Sequence, residues 1–175
     1  MNRKTFKNHI DQLEEEDLRE ELFTLFTKIK EVKNYYLMEL GDDKQRKRIY
    51  EKAKKEITTK YATKSYRRPR RPRIQKVKNI IRQIENESIF PYELIDVYLH
   101  NTEVALAFMM EYRYDSNPLR NSINDSFQKA LNLIDLELMK KDYSERCGTL
   151  VNKMSYAPWV FEDSLELYKK VYMKE

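Results

Sequence analysis

Glu93, Asp96, His100 and Glu103 stand at steps of three, four and three, a spacing that lays three carboxylates and an imidazole along one stripe of one helix. Carboxylate oxygens and a neutral imidazole nitrogen are ligands for a divalent metal when a second helix completes the set. Helical di-metal sites use a Glu followed three residues later by His, repeated on two helices. Here His100 precedes Glu103, and the other histidine, His9, has no matching partner. Ala107 and Glu111 continue the stripe away from Leu94, Tyr98 and Ala105, so the same pattern describes a solvated helix face. A metal-dependent enzyme at His100 is accordingly the third of three functional readings, and no catalytic residue, metal ligand or cofactor is assigned.

Other chemistries find less to work with. Two isolated glycines, Gly41 and Gly148, cannot build a glycine-rich phosphate loop. No Gly-x-Ser-x-Gly turn exists to present a nucleophile. The acids Glu14-Glu15-Glu16-Asp17 mark a helix start, where negative charge is favoured. Cys147 lies between Tyr143 and Val151 on an apolar stripe and reads as a small buried hydrophobe.

The strongest candidate is electrostatic. Between Lys44 and Arg82 there are 17 Lys or Arg against only Glu51 and Glu56, a net of +15 in a chain whose total is +5, so the remainder carries −10. The centre spells Tyr66-Arg67-Arg68-Pro69-Arg70-Arg71-Pro72-Arg73. Guanidinium forks match phosphate bidentately, prolines limit the entropy lost on binding, and Tyr61 and Tyr66 offer rings for base stacking. The glycine that lets an Arg-Gly-Arg-Pro hook lie deep in the minor groove is absent, which points to phosphate contact without sequence reading. The candidate polyanion-binding residues are Tyr66, Arg67, Arg68, Arg70, Arg71, Arg73 and Lys76. The competing reading is a solvated linker, or arginines paired with the protein's own acids.

The elements that position these residues read as helices. Glycine and proline are too scarce, at two and five in 175 residues, for the turns that sheets require. Leu18, Leu22, Leu25, Ile29, Val32 and Tyr36 alternate steps of four and three, a heptad seam on one helix ending at Gly41, where a left-handed cap is expected. A short helix, Thr5 to Leu13, precedes it, and Asp42 caps the next, which runs to about Ala62 with Ile49, Ala53 and Ile57 as a thin core stripe. Pro69 and Pro72 forbid helix, so residues 63–73 are extended, and helix resumes at Ile74. Pro91, Asn117-Pro118, Asp142 as a cap, and Pro158 start the remaining helices. Tyr156, Trp159 and Phe161 beside Pro158 are expected to seal one end of the core.

Arg73-Ile74-Gln75-Lys76-Val77-Lys78-Asn79-Ile80-Ile81 after a basic, proline-bearing segment, then Glu145-Arg146-Cys147 leading to Trp159-Val160-Phe161-Glu162-Asp163-Ser164-Leu165-Glu166-Leu167-Tyr168, resemble the bacterial family called domain of unknown function 6155. The similarity spans nearly the whole chain. It implies a bacterial, cytoplasmic, helical protein and transfers no activity residue by residue.

These readings combine into an all-α protein of seven or eight helices, in a bundle or a short stacked array. Residues 1–62 form an N-terminal helical arm, 63–73 a basic connector and 74–175 a helical core, with one undivided domain as the alternative. A single cysteine and a polar N-terminus favour the cytoplasm, and no apolar run is long enough for a membrane. The leading functional expectation is a non-enzymatic protein-interaction or scaffold role, with a protein partner or self-association through the Leu18 to Tyr36 seam. The alternative is sequence-nonspecific nucleic-acid binding through residues 44–82.

Overall fold

The computed structural model describes residues 2–63, 65–67, 69–88 and 90–173. Among them every regular element is helical: α1 Arg3–Ile10, α2 Glu15–Lys28, α3 Lys30–Leu40, α4 Asp43–Tyr61, α5 Ile74–Glu87, α6 Pro91–Tyr112, α7 Asn117–Leu136, α8 Lys140–Met154, a 3-10 turn Pro158–Val160, and α9 Glu162–Tyr172. The chain divides into two compact units, Met1–Arg46 and Lys47–Glu175, so the division falls inside α4. The partition read from the sequence lies instead at residues 63–73.

In the first unit, Asn2 caps α1 by accepting from the Thr5 amide at 2.9 Å. The heptad seam is expected on one continuous helix, and this is corrected: Ile29 takes an extended conformation (φ −110°, ψ 111°) that separates α2 from α3. The rings of Phe26 and Tyr36 consequently meet at 6.2 Å, edge to face. Ten residues of straight helix would hold them about 15 Å apart along the axis. Glycine and proline are both absent at Lys28-Ile29-Lys30, so no local breaker announces the bend, and the break raises the number of α-helices among the described residues to nine.

Gly41 ends α3 with φ −73°, not in the left-handed region expected of it. Its glycine answers a close approach: a Cβ there would lie 2.2 Å from the Leu37 carbonyl oxygen. Asp42 then caps α4 as anticipated, its carboxylate accepting from the Gln45 amide at 2.7 Å while Gln45 Oε1 accepts from the Asp42 amide at 3.2 Å. This is a reciprocal capping box.

The second unit is built around α6. Ile95, Val97, Tyr98, Leu99, Asn101, Thr102, Ala105, Leu106 and Phe108 are all buried, because four helices surround this one. Side chains of α6 bond to α4 through Asp96, to α5 through Tyr98, to α7 through Asn101 and to α8 through Glu103. The α4 face that packs is Tyr50, Ala53, Ile57 and Tyr61; Ala53 and Ile57 are buried as expected, whereas Tyr50 takes the place of Ile49, which is only half-buried. Helix α9 closes the unit against α7, where Ser164 Oγ donates to Asn124 at 2.6 Å and Asn124 donates to the Val160 carbonyl at 3.1 Å.

Two helix ends use non-glycine residues at positive φ, Arg113 (49°) and Leu138 (58°). Beyond Leu138 the Met139 amide reaches back to the Ile134 carbonyl at 2.9 Å, a six-to-one closure that glycine makes most easily. The Leu138 side chain is 85% exposed, so it returns little packing for that conformation. Leu138→Gly is expected to stabilise the fold by up to about 1 kcal/mol, or about 2–4 °C in thermal midpoint. A lowered midpoint in a calorimetric scan would show that the left-handed residue carries no such cost.

Candidate functional site

The α6 stripe is a solvated face only in its later half: Ala107 and Glu111 are exposed, whereas Asp96, His100 and Glu103 are half-buried against α4 and α8. Asp96 accepts from Lys54 Nζ and from Arg146, each at 2.5 Å, and Arg146 also forms a two-pronged pair with Glu103 at 2.5 and 3.0 Å. Asp96 and Glu103 therefore each close on a cation of a neighbouring helix. Burial opposes charge on Asp96, but Lys54 and Arg146 outweigh it and hold the carboxyl below its usual range. Burial likewise opposes the Arg146 charge, and the pairing with Glu103 and Asp96 overrides it to strengthen the guanidinium's hold on its proton.

His100 points its Nε2 at the Lys54 carbonyl (3.1 Å) and Thr58 Oγ1 (2.9 Å). Only a protonated Nε2 can satisfy the carbonyl, so the imidazole is spent on α4. Its burial pushes the pKa down. Among the described residues no group of three or more His, Cys, Asp or Glu is placed to hold a metal ion. What remains of the stripe is one wall of an open groove between α6 and α8, lined by His100, Glu103, Asp142, Arg146 and Lys153 among others. Asp142 sits in the first turn of α8 and is not its cap, which is Met139.

The basic connector is arranged differently. Between α4 and α5 the described residues are non-helical, and the segment is closed at its base. The Arg73 amide donates to the Lys60 carbonyl at 3.1 Å, and the Arg70 amide donates to Thr63 Oγ1 at 3.0 Å. Arg67, Arg70, Arg71, Arg73 and Lys76 are exposed and take part in no ion pair among the described residues. Arg68 lies outside the described residues. Arg71, Arg73 and Lys76 border a groove with the α6–α7 turn. The acid in that groove, Asp115, is engaged by Arg120 through both oxygens. Tyr66, 70% exposed, rests against Tyr112 with ring centroids 5.5 Å apart.

The seam residues Leu18, Leu25, Val32 and Tyr36 are half-buried, while Leu22 and Ile29 are exposed. The late aromatics separate: Phe161 is buried, whereas Tyr156 and Trp159 are 81% and 77% exposed, so only Phe161 seals the core. Cys147 is buried, and that burial pushes its thiol up to about 11.

Sequence reasoning missed the polar centre. The fully buried Asn101 donates to Ser126 Oγ at 2.8 Å and to Ser122 Oγ at 3.3 Å, and accepts from Tyr61 at 2.9 Å. The signal was present. Asn101 falls in step with Tyr98 and Ala105, and Ser122 and Ser126 fall in step with Leu119 and Ala130, the register of core positions.

The two buried titrations fix how acid acts on the second unit. A histidine held neutral by burial favours the folded state at neutral pH, and that contribution is lost as pH falls below the ordinary value of about 6.5. Asp96, whose folded pKa is depressed, contributes above the ordinary carboxyl range and loses that contribution as pH falls through its folded value. Denaturant titrations across pH should show an upper loss removed by His100→Gln. A lower loss, starting below about pH 4, should be reduced by Asp96→Asn, with Glu85 and Asp115 also contributing to it. An unchanged profile in both variants would remove these groups from the acid response.

No curated protein and no solved structure matches this chain. Residues 1–172 match the family of unknown function DUF6155. That match takes in both compact units, the connector and the α6 stripe, and the chain belongs to this family.

Proposed function

We propose that the chain is a non-catalytic protein that binds nucleic acid without sequence preference through its basic connector. One observation carries this reading. Arg67, Arg70, Arg71 and Arg73, on a backbone-anchored loop, and Lys76, in the first turn of α5, are exposed and take part in no ion pair among the described residues, and the acid that shares the groove of Arg71, Arg73 and Lys76 is already occupied. Asp115 is held by Arg120, Asp125 by Lys78, Glu85 by Lys129, and Asp96 by Lys54 and Arg146. Unpaired guanidinium groups fixed close together are a ready counter-charge for a phosphate backbone. The missing glycine in the Arg-Pro run, and loop rather than helix as its scaffold, favour backbone contact over base reading.

A second reading, protein interaction through the first unit, is supported by exposed apolar side chains there. Leu22 and Ile29 of the seam are 43% and 39% exposed, and Phe23 and Leu40 are 73% and 79% exposed. Self-association through this face predicts a light-scattering mass that rises with concentration, and a Leu22→Glu, Phe23→Glu variant that stays monomeric. A wild-type monomer at high concentration ends the self-association form of this reading.

The nucleic-acid reading is tested by titrating mixed-sequence oligonucleotides across salt. Affinity should fall steeply, with each phosphate contact contributing about 0.9 to the slope of log K against log salt on duplex. Changing Arg67, Arg70, Arg71 and Arg73 together to Ala should flatten that slope by up to about 3.6 on duplex. Helix content should be retained, since these side chains are exposed. No affinity at low salt overturns the reading.

A further inference from the structure

An unbroken run of aromatic rings leads from the core to the basic connector. Tyr61, buried and bonded to Asn101, lies 6.1 Å from Phe108; Phe108 lies 4.9 Å from Tyr112; and Tyr112 lies 5.5 Å from Tyr66. Tyr114 flanks Phe108 at 5.6 Å and borders the groove that holds Arg71, Arg73 and Lys76. The first member is 4% exposed and the last is 70% exposed. Tyr66 thus meets, at an interplanar angle of 50°, a ring that packs on the buried Phe108, with most of its surface in water, next in sequence to Arg67.

A large aromatic surface left in water beside unpaired arginines is unfavourable for a site that binds duplex alone. The bases of a duplex are stacked on one another, and its outer surface offers phosphate but no ring face. In a single strand the bases are free to stack on protein rings while the backbone follows the positive groove. Pre-positioning Tyr66 against Tyr112 lowers the order that must be imposed when a base arrives.

Resting on the nucleic-acid reading above, we infer that the ligand class is single-stranded nucleic acid. Tyr66 is the stacking platform, Tyr112 and Phe108 hold it, and Arg67, Arg70, Arg71 and Arg73 follow the phosphates. One nucleotide stacks on the outer face of Tyr66, and its neighbours run over the connector toward the start of α5.

The test compares three fluorescent probes by anisotropy at low salt: oligo-deoxythymidylate, a mixed-sequence duplex of equal length, and heparin, a polyanion without bases. The single strand should bind more tightly than the duplex. Tyr66→Ala should weaken single-strand binding about tenfold and leave heparin binding unchanged. Tyr66→Phe, which keeps the ring, should behave as wild type. The inference is overturned if Tyr66→Ala leaves single-strand affinity intact, or if it weakens heparin and single strand equally. In either case salt-sensitive binding to all three probes would leave the broader polyanion reading standing. Absence of binding to every probe overturns both.

Discussion

A buried amide must find partners for its two N–H groups and its carbonyl, or forfeit the hydrogen bonds it made to water, at about 1–3 kcal/mol for each group left unmade. Asn101 meets this requirement with one hydroxyl from α4 and two from α7. The relative placement of three helices is thereby tied to a single side chain. Apolar contacts alone would allow those helices to slide by part of a turn at small cost, whereas displaced hydroxyls would strand the amide. Burial also pushes the Tyr61 phenol up to about 12, so it remains a donor at any physiological pH. The ion pairs of Asp96 and Glu103 repeat this logic nearer the surface, where they lock α4 and α8 to α6.

The charge asymmetry takes on structural meaning from this arrangement. Acids of the second unit are consumed in holding helices together, by Lys54, Lys78, Lys129, Arg120 and Arg146. Those cations come largely from helices, which present them to a facing helix at a fixed angle. The connector arginines are carried by a loop whose backbone is tied down by its own amides, and Arg67, Arg70, Arg71 and Arg73 enter no ion pair among the described residues. Position in the fold, more than composition, separates the cations that build the structure from those that stay outside its ion pairs.

How much of this was legible depended on whether the controlling physics was local. Pro91 and Ile74 placed helix starts, and Asp42 placed a cap, because each acts on its own backbone. Asn117-Pro118 missed by one residue, with Ser116 as the cap. The bend at Ile29 was hidden, because an ordinary branched residue adopts an extended backbone without leaving a mark in composition. The α6 stripe was read correctly as a stripe and incorrectly as wet in its earlier half, since what covers that half comes from α4 and α8, more than 40 residues away along the chain. Tyr66 was visible as an aromatic among arginines. Its contact with Tyr112 was not, because 46 residues separate the two.

The closure of the connector at its base has a consequence for how freely this protein can change. With Arg73 bonded to Lys60, and α4 and α5 each secured to α6 by their own side chains, the closure of the connector does not draw on the exposed side chains of Arg67, Arg70 and Arg71. Substitutions at the loop tip alter what the loop touches and leave the helices in register. Such a segment is a cassette: the charge carried at these exposed positions can be exchanged while the scaffold beneath it keeps the same architecture.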